Sequence, residues 1–205
     1  MRAKQVAFEV TYINLRDKPD WFLKISPHGK VPVLLIDDQP LFESNAIAEF
    51  LDEQVAPQLH PGDAIKRARN RAWTDFVPTF AAALNGVTYC KADDDLDAKL
   101  VAAGKVLDRL EEAIANERTD TGPYFNGPQL SLVDAAYAPF LQRFAMAETV
   151  LRTGLLDDYP LVKAWSETLR EDERVTGAVA PEFADEFVKN LERRGTRAWQ
   201  LMAAA

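Results

Sequence analysis

Apolar and polar positions alternate at the start of the chain. Val6, Phe8, Val10 and Tyr12 fall on one side and Ala7, Glu9 and Thr11 on the other, the period of two that predicts a strand over 6–12. Pro19 then precedes Trp21, Phe22 and Leu23 and suits the first turn of a short helix, where its missing N–H costs nothing; Ser26-Pro27-His28-Gly29 ends it. Val31 to Ile36 is β-branched and apolar, Asp37-Asp38-Gln39-Pro40 turns the chain, and Leu41-Phe42 begins the return strand of a hairpin. Ser44 stands where an N-cap belongs, ahead of Ile47, Phe50 and Leu51 at helical spacing.

The texture changes after Pro57. A polar, turn-rich stretch, Gln58 to Asp63, divides an α/β domain over 1–56 from a second domain over 64–205, with 57–63 as linker. Trp73, Phe76, Val77, Phe80, Leu84 and Val87 make one helical stripe; Leu96, Leu100, Leu107, Leu110 and Ile114 make another. Two long antiparallel helices are expected, the first kinked at Pro78. Residues 122–130 read as a loop. Ser131 and Asp134 then form a capping box for a helix carrying Phe140, Leu141 and Phe144, and further helices start at Pro160 and near Phe183. The fold class is α+β, a small α/β domain followed by an all-α domain.

Composition narrows the function. The 205 residues are 47% hydrophobic, enough for a packed core, and the 24 basic residues are scattered among 32 acidic ones for a net charge of −8. That balance repels phosphate backbones and anionic lipid surfaces, so neither nucleic acid nor membrane is an expected partner. No apolar run is long enough to span a bilayer and residues 1–9 lack the pattern of a signal peptide, which places the protein in the cytoplasm. Cys90 is the single cysteine and His28 and His60 the only histidines, so no disulfide and no metal spacing is present. Cys90 reads as an inert small hydrophobe, and both histidines as loop residues in proline-bordered turns.

The run Ile25-Ser26-Pro27-His28-Gly29-Lys30-Val31-Pro32-Val33-Leu34, with Phe42-Glu43-Ser44-Asn45-Ala46-Ile47 after it, resembles the glutathione site of the cytosolic glutathione transferases. Asp17-Lys18-Pro19-Asp20-Trp21-Phe22 is most similar to the omega class and its bacterial relatives, and Ser131 to Asp134 matches the buried capping box that starts the central helix of the family's α-domain. The resemblance covers nearly the whole chain. It implies a thioredoxin-like first domain, glutathione as co-substrate without a metal, a small electrophilic or disulfide second substrate, and a homodimer.

The same resemblance assigns roles by position. A cis peptide at Pro32 would turn the Val31 N–H and C=O outward to pair with the cysteinyl part of glutathione like an added strand. Ser44 would meet the γ-glutamyl carboxylate at a helix start, Glu43 the ammonium and Lys18 the glycine carboxylate, with Lys30 assisting. Trp73, Phe76 and Phe80 are candidates for a hydrophobic substrate pocket, although a stripe at helical spacing is core first. The family also places a strand and helix, with a catalytic Cys, Ser or Tyr near their junction, ahead of the segment that opens this chain. The expectation is therefore an incomplete first domain, with a late-placed start favoured over a true truncation or a degenerate copy, and no nucleophile among these residues. A non-catalytic ligand-binding or protein-docking module of the same fold is the competing reading.

Overall fold

The computed structural model describes residues 1–91, 94–118 and 121–204. The chain forms two compact units, Met1–Gly62 and Asp63–Ala205.

In the first unit a 3₁₀ turn, Arg2–Lys4, is followed by helix α1 (Asp20–Ile25), strands β1 (Val33–Ile36) and β2 (Gln39–Phe42), and helix α2 (Ser44–Gln54). The hairpin is tighter than the sequence suggests, because Ile36 already pairs with Gln39 and Val33 with Phe42. Only Asp37 and Asp38 turn the chain, at φ 49° and 63°. Both lie in the left-handed region that a two-residue hairpin with strand-matching twist demands, and aspartate tolerates it better than most residues. Phe22, Ile47 and Leu51 form the unit's small apolar core.

The strand expected over 6–12 does not form. Among the described residues the sheet consists of β1 and β2 alone, and the segment's apolar side chains stand out into solvent: Phe8 is 37%, Val10 53% and Tyr12 69% exposed. Alternation defines two faces, but a strand also needs a ladder partner for its N–H and C=O groups, and no strand lies beside this one.

The first unit is closed by a buried polar network instead. The Lys4 ammonium is 2.7 Å from Asp52 Oδ1 and donates to the carbonyls of Val55 and Pro57 at 2.6 and 2.7 Å. Asp52 accepts from the backbone N–H groups of Leu59 and His60, and His60 Nε2 lies 2.6 Å from Glu49 Oε1. Residues 57–60, read from sequence as linker, are thereby held to the end of α2.

The second unit contains α3 (Ala64–Thr88), α4 (Leu96–Glu117), α5 (Leu132–Leu151), α6 (Pro160–Glu171), a short α7 (Glu173–Thr176), α8 (Phe183–Arg193) and α9 (Arg197–Ala203). Helix α3 runs on through Pro78 and starts at Asp63, whose carboxylate accepts from the N–H groups of Ile65 and Lys66. The two long stripes supply the core as expected: Leu84 and Val87 of α3 and Leu107, Leu110 and Ile114 of α4 are sealed with Tyr137 and Leu141 of α5 and Trp165 of α6.

The capping box at the start of α5 goes beyond a local cap. Asp134 is fully buried; one carboxylate oxygen accepts from the Ser131 N–H and hydroxyl at 2.7 and 2.6 Å, the other from the Phe125 N–H at 2.9 Å and Trp165 Nε1 at 2.6 Å. Burial pushes this carboxyl up against four donors that pull it down. One side chain thus ties the 122–130 loop, the first turn of α5 and α6 together. A smaller apolar cluster of Ala147, Phe187, Leu191 and Ala198 seats α8 and α9 on α5.

Candidate functional site

The turn over 26–32, the end of β2 and the first residue of α2 converge on one cavity of about 60 Å³ in the first unit. Lys30, Val31, Pro32, Glu43 and Ser44 all line it, with Ser26, His28 and Phe42 completing the wall. Five positions singled out in the sequence, in two separate segments at 30–32 and 43–44, are therefore brought together.

Local chemistry explains the turn. Ser26 follows α1, and its N–H donates to the Phe22 carbonyl at 3.0 Å. Its hydroxyl accepts from the Lys30 N–H at 3.0 Å and donates to the Lys30 carbonyl at 2.9 Å, while Gly29 supplies a φ of 57° inside the loop. The Val31-Pro32 peptide is cis. Val31 is half exposed and lies outside the hairpin ladder, which starts at Val33.

Glu43, not Ser44, is the N-cap of α2. Its carbonyl accepts from the Ile47 N–H at 3.0 Å, and its backbone sits at φ 64°, ψ 119°, a strained conformation for a side chain with a Cβ. Ser44 is the first helical residue, and no side-chain capping bond is formed. The correction has a chemical consequence: the Ser44 hydroxyl is not committed to the helix, and it faces the cavity beside first-turn N–H groups that have no intrahelical acceptor. These groups and the helix dipole suit an anion, and the Glu43 carboxylate next to them suits a cation. A ligand carrying both charges on one small group fits that pairing.

Lys18 does not line the cavity. Its Nζ lies 4.0 Å from where a Cβ on Gly29 would stand, which places it against the same turn. Of the aromatic candidates, Phe80 is core: it is 1% exposed and packs 4.8 Å from the Tyr137 ring, so it offers no surface to a substrate. Trp73 and Phe76 are half-buried and meet edge to face at 5.7 Å, with the Arg109 guanidinium over Phe76. Cys90 is buried in the second unit, and burial together with nearby Asp94 holds its thiol above the ordinary value. No reactive thiolate is available there. His28, read from sequence as a loop residue, lines the cavity and packs edge-on to Phe42 at 5.4 Å.

A larger groove of about 490 Å³ runs along α5 and α6. Its rim mixes both signs of charge and Lys163 is already paired with Asp157 at 2.7 Å, so it lacks the matched pair of free groups that distinguishes the smaller cavity.

Residues 1–54 match the family model of the glutathione S-transferase N-terminal domain and 93–168 that of the C-terminal domain. The chain is 30% identical to glutathione S-transferase omega-1 of Rattus norvegicus over 174 residues, covering 84% of this chain and 70% of the relative. It is 31% identical to glutathione S-transferase U16 of Arabidopsis thaliana, covering 97% and 88%. The chain belongs to the glutathione S-transferase family. Among solved structures it is similar to the tau-class glutathione S-transferase of mango, Mangifera indica, with a TM-score of 0.79 at 26% identity over 93% of this chain and 92% of that one. The relatives of this transferase thus include both omega- and tau-class enzymes, where its sequence alone pointed to omega.

For a glutathione S-transferase the signals missed in the sequence are instructive. Ser26 and Phe42 carry no functional signature by themselves, and their place in the wall follows from the turn and the hairpin that bring them to Glu43. No helix among the described residues is long and apolar enough to cross a membrane.

Proposed function

We propose that this glutathione S-transferase family member binds glutathione along the 26–32 turn and the start of α2. The observation that carries the reading is the convergence of a carboxylate, Glu43, and an uncommitted serine at a helix N-terminus, Ser44, on the cavity that the cis Val31-Pro32 segment borders. The cavity holds a group the size of an amino-acid head, with Glu43 taking the γ-glutamyl ammonium and Ser44 with the free first-turn N–H groups taking its carboxylate. The outward Val31 backbone pairs with the cysteinyl residue as a short added strand. Lys18 and Lys30, both on or against the turn, neutralise the glycine carboxylate.

The reaction class is attack by the glutathione sulfur, as thiolate, on a small electrophilic carbon or on a disulfide, with the omega- and tau-class relatives as the nearest guide to chemistry. A homodimer is proposed on family membership. Cys90 has no part in the reaction, because a buried thiol held in its neutral form is a poor nucleophile. The competing reading is a glutathione-binding module of the same fold without turnover.

Isothermal titration of the chain with glutathione tests the proposal. Binding that Glu43→Ala and Ser44→Ala each weaken at least about tenfold supports it; binding that both variants leave unchanged overturns it. Turnover of an electrophilic or disulfide substrate in the same preparation decides between enzyme and module.

A further inference from the structure

Two separate pieces of chain line the candidate cavity. Glu43 and Ser44 belong to the corner between β2 and α2, whereas Lys30, Val31 and the surface against which Lys18 rests belong to the 26–31 turn. The side-chain hydrogen bonds of Ser26 all fall within the second piece. Ser26 is 4% exposed, and its hydroxyl is spent twice on one residue, accepting from the Lys30 N–H at 3.0 Å and donating to the Lys30 carbonyl at 2.9 Å. Its own carbonyl accepts from the Gly29 N–H at 3.0 Å, and its own N–H is anchored on the Phe22 carbonyl of α1 at 3.0 Å.

These bonds close the loop immediately before Val31 and tie both the N–H and the carbonyl of Lys30 to one side chain. They also fix Gly29, whose φ of 57° reverses the chain and whose missing Cβ would stand 3.5 Å from Leu23 Cδ2 and 4.0 Å from Lys18 Nζ. The Ser26 hydroxyl thus clamps both backbone groups of Lys30, directly ahead of Val31 and beside the Gly29 turn that Lys18 lies against.

We infer that Ser26 is a positioning residue that gives this site its preference for a ligand with a glycyl carboxylate, by holding Lys30 and the Lys18 platform in register with Val31. The inference rests on the glutathione reading above. Ser26 makes no bond to the Glu43-Ser44 corner, so its loss falls on one end of the ligand only.

The test is titration calorimetry with glutathione and with γ-glutamylcysteine, which lacks the glycine, on the wild-type chain and on Ser26→Ala, Ser26→Thr and Glu43→Ala. The expected result is that Ser26→Ala weakens glutathione binding about tenfold while changing γ-glutamylcysteine by no more than about twofold, and that Ser26→Thr restores the preference. A purely structural role predicts equal losses for both ligands, and that outcome, or no loss for either, overturns the inference. If Glu43→Ala abolishes binding and Ser26→Ala leaves the affinity for both ligands unchanged, the glutathione reading stands and the role of Ser26 falls. If the wild-type chain binds neither ligand, both fall together.

Discussion

Lys4 and Asp52 form an ion pair of 2.7 Å whose side chains are 2% and 5% exposed. A buried pair is weak evidence for net stability, but its rupture is costly, because the remaining charge has neither water nor partner. The ammonium has a full set of acceptors in Asp52, Val55 and Pro57, and the carboxylate receives two backbone N–H groups besides. The pair ties the start of the chain to the far end of α2, at the other end of the helix from Glu43 and Ser44.

Lys4→Met or Asp52→Ala is expected to destabilise the protein by about 3–5 kcal/mol in urea unfolding. The pair also sets an acid limit. Burial raises the Asp52 carboxyl, but the bonds from Leu59, Lys4 and His60 outweigh it and leave the folded value below the ordinary 3.8. A carboxyl lowered on folding contributes stability above its unfolded value, near pH 4, and loses it as pH falls through the folded one. The acid slope of stability between about pH 4 and 2 should therefore be shallower in Asp52→Ala than in the wild type.

Ser44→Ala separates the two roles the residue has been given. An N-cap serine replaced by alanine costs about 1 kcal/mol, yet Ser44 makes no capping bond. The variant is expected to unfold within about 0.3 kcal/mol of the wild type while glutathione binding weakens. Denaturant midpoints and calorimetry on the same samples check both halves.

Glu43→Gly should stabilise and impair together. Relief of the φ 64°, ψ 119° backbone is worth about 1–3 kcal/mol, offset by about 0.5–1 kcal/mol of added chain entropy in the unfolded state. The expected outcome is a higher unfolding midpoint with weaker glutathione binding. A lower midpoint would mean that the Glu43 side chain has a structural role that outweighs the strain.

Asp134→Ala removes the acceptor of four hydrogen bonds and strands the Trp165 indole N–H in the core. A loss of about 3–5 kcal/mol is expected, against about 1 kcal/mol for Ser131→Ala, with no change in glutathione affinity once the folded fraction is accounted for. Unfolding curves followed by the fluorescence of Trp165 and its neighbours measure the difference.

The helical unit was largely legible, because long stripes such as Leu107, Leu110 and Ile114 mark a buried face whatever their partner is. Short helices were not: α7 and α9 carry too few turns for a period to register, and Thr196 caps α9 through a bond to the Trp199 N–H that no pattern announces. The strand over 6–12 failed for the opposite reason, a clear pattern without a ladder to join. The buried Lys4 ion pair left no mark in the sequence, since its partner lies 48 residues away in Asp52.

At the site, Val31, Pro32, Glu43 and Ser44 were legible as a motif, and the cis peptide fits the reading made of it. The one-residue shift of the cap from Ser44 to Glu43 was not, because a positive φ at a glutamate violates the preference on which cap placement relies. Ser26 stood in the sequence as a helix stop and as part of the Ile25 to Leu34 run, but not as a site residue, because its two bonds to Lys30, four positions on, show only in the folded turn.

The most direct test of the proposed glutathione site is a titration of the ¹⁵N-labelled protein followed by amide resonances. The account expects the Val31, Glu43 and Ser44 signals to shift with a common midpoint as glutathione is added, with the Gly29 and Lys30 signals following them. Shifts confined to the α5–α6 groove, or none at saturating glutathione, would contradict it.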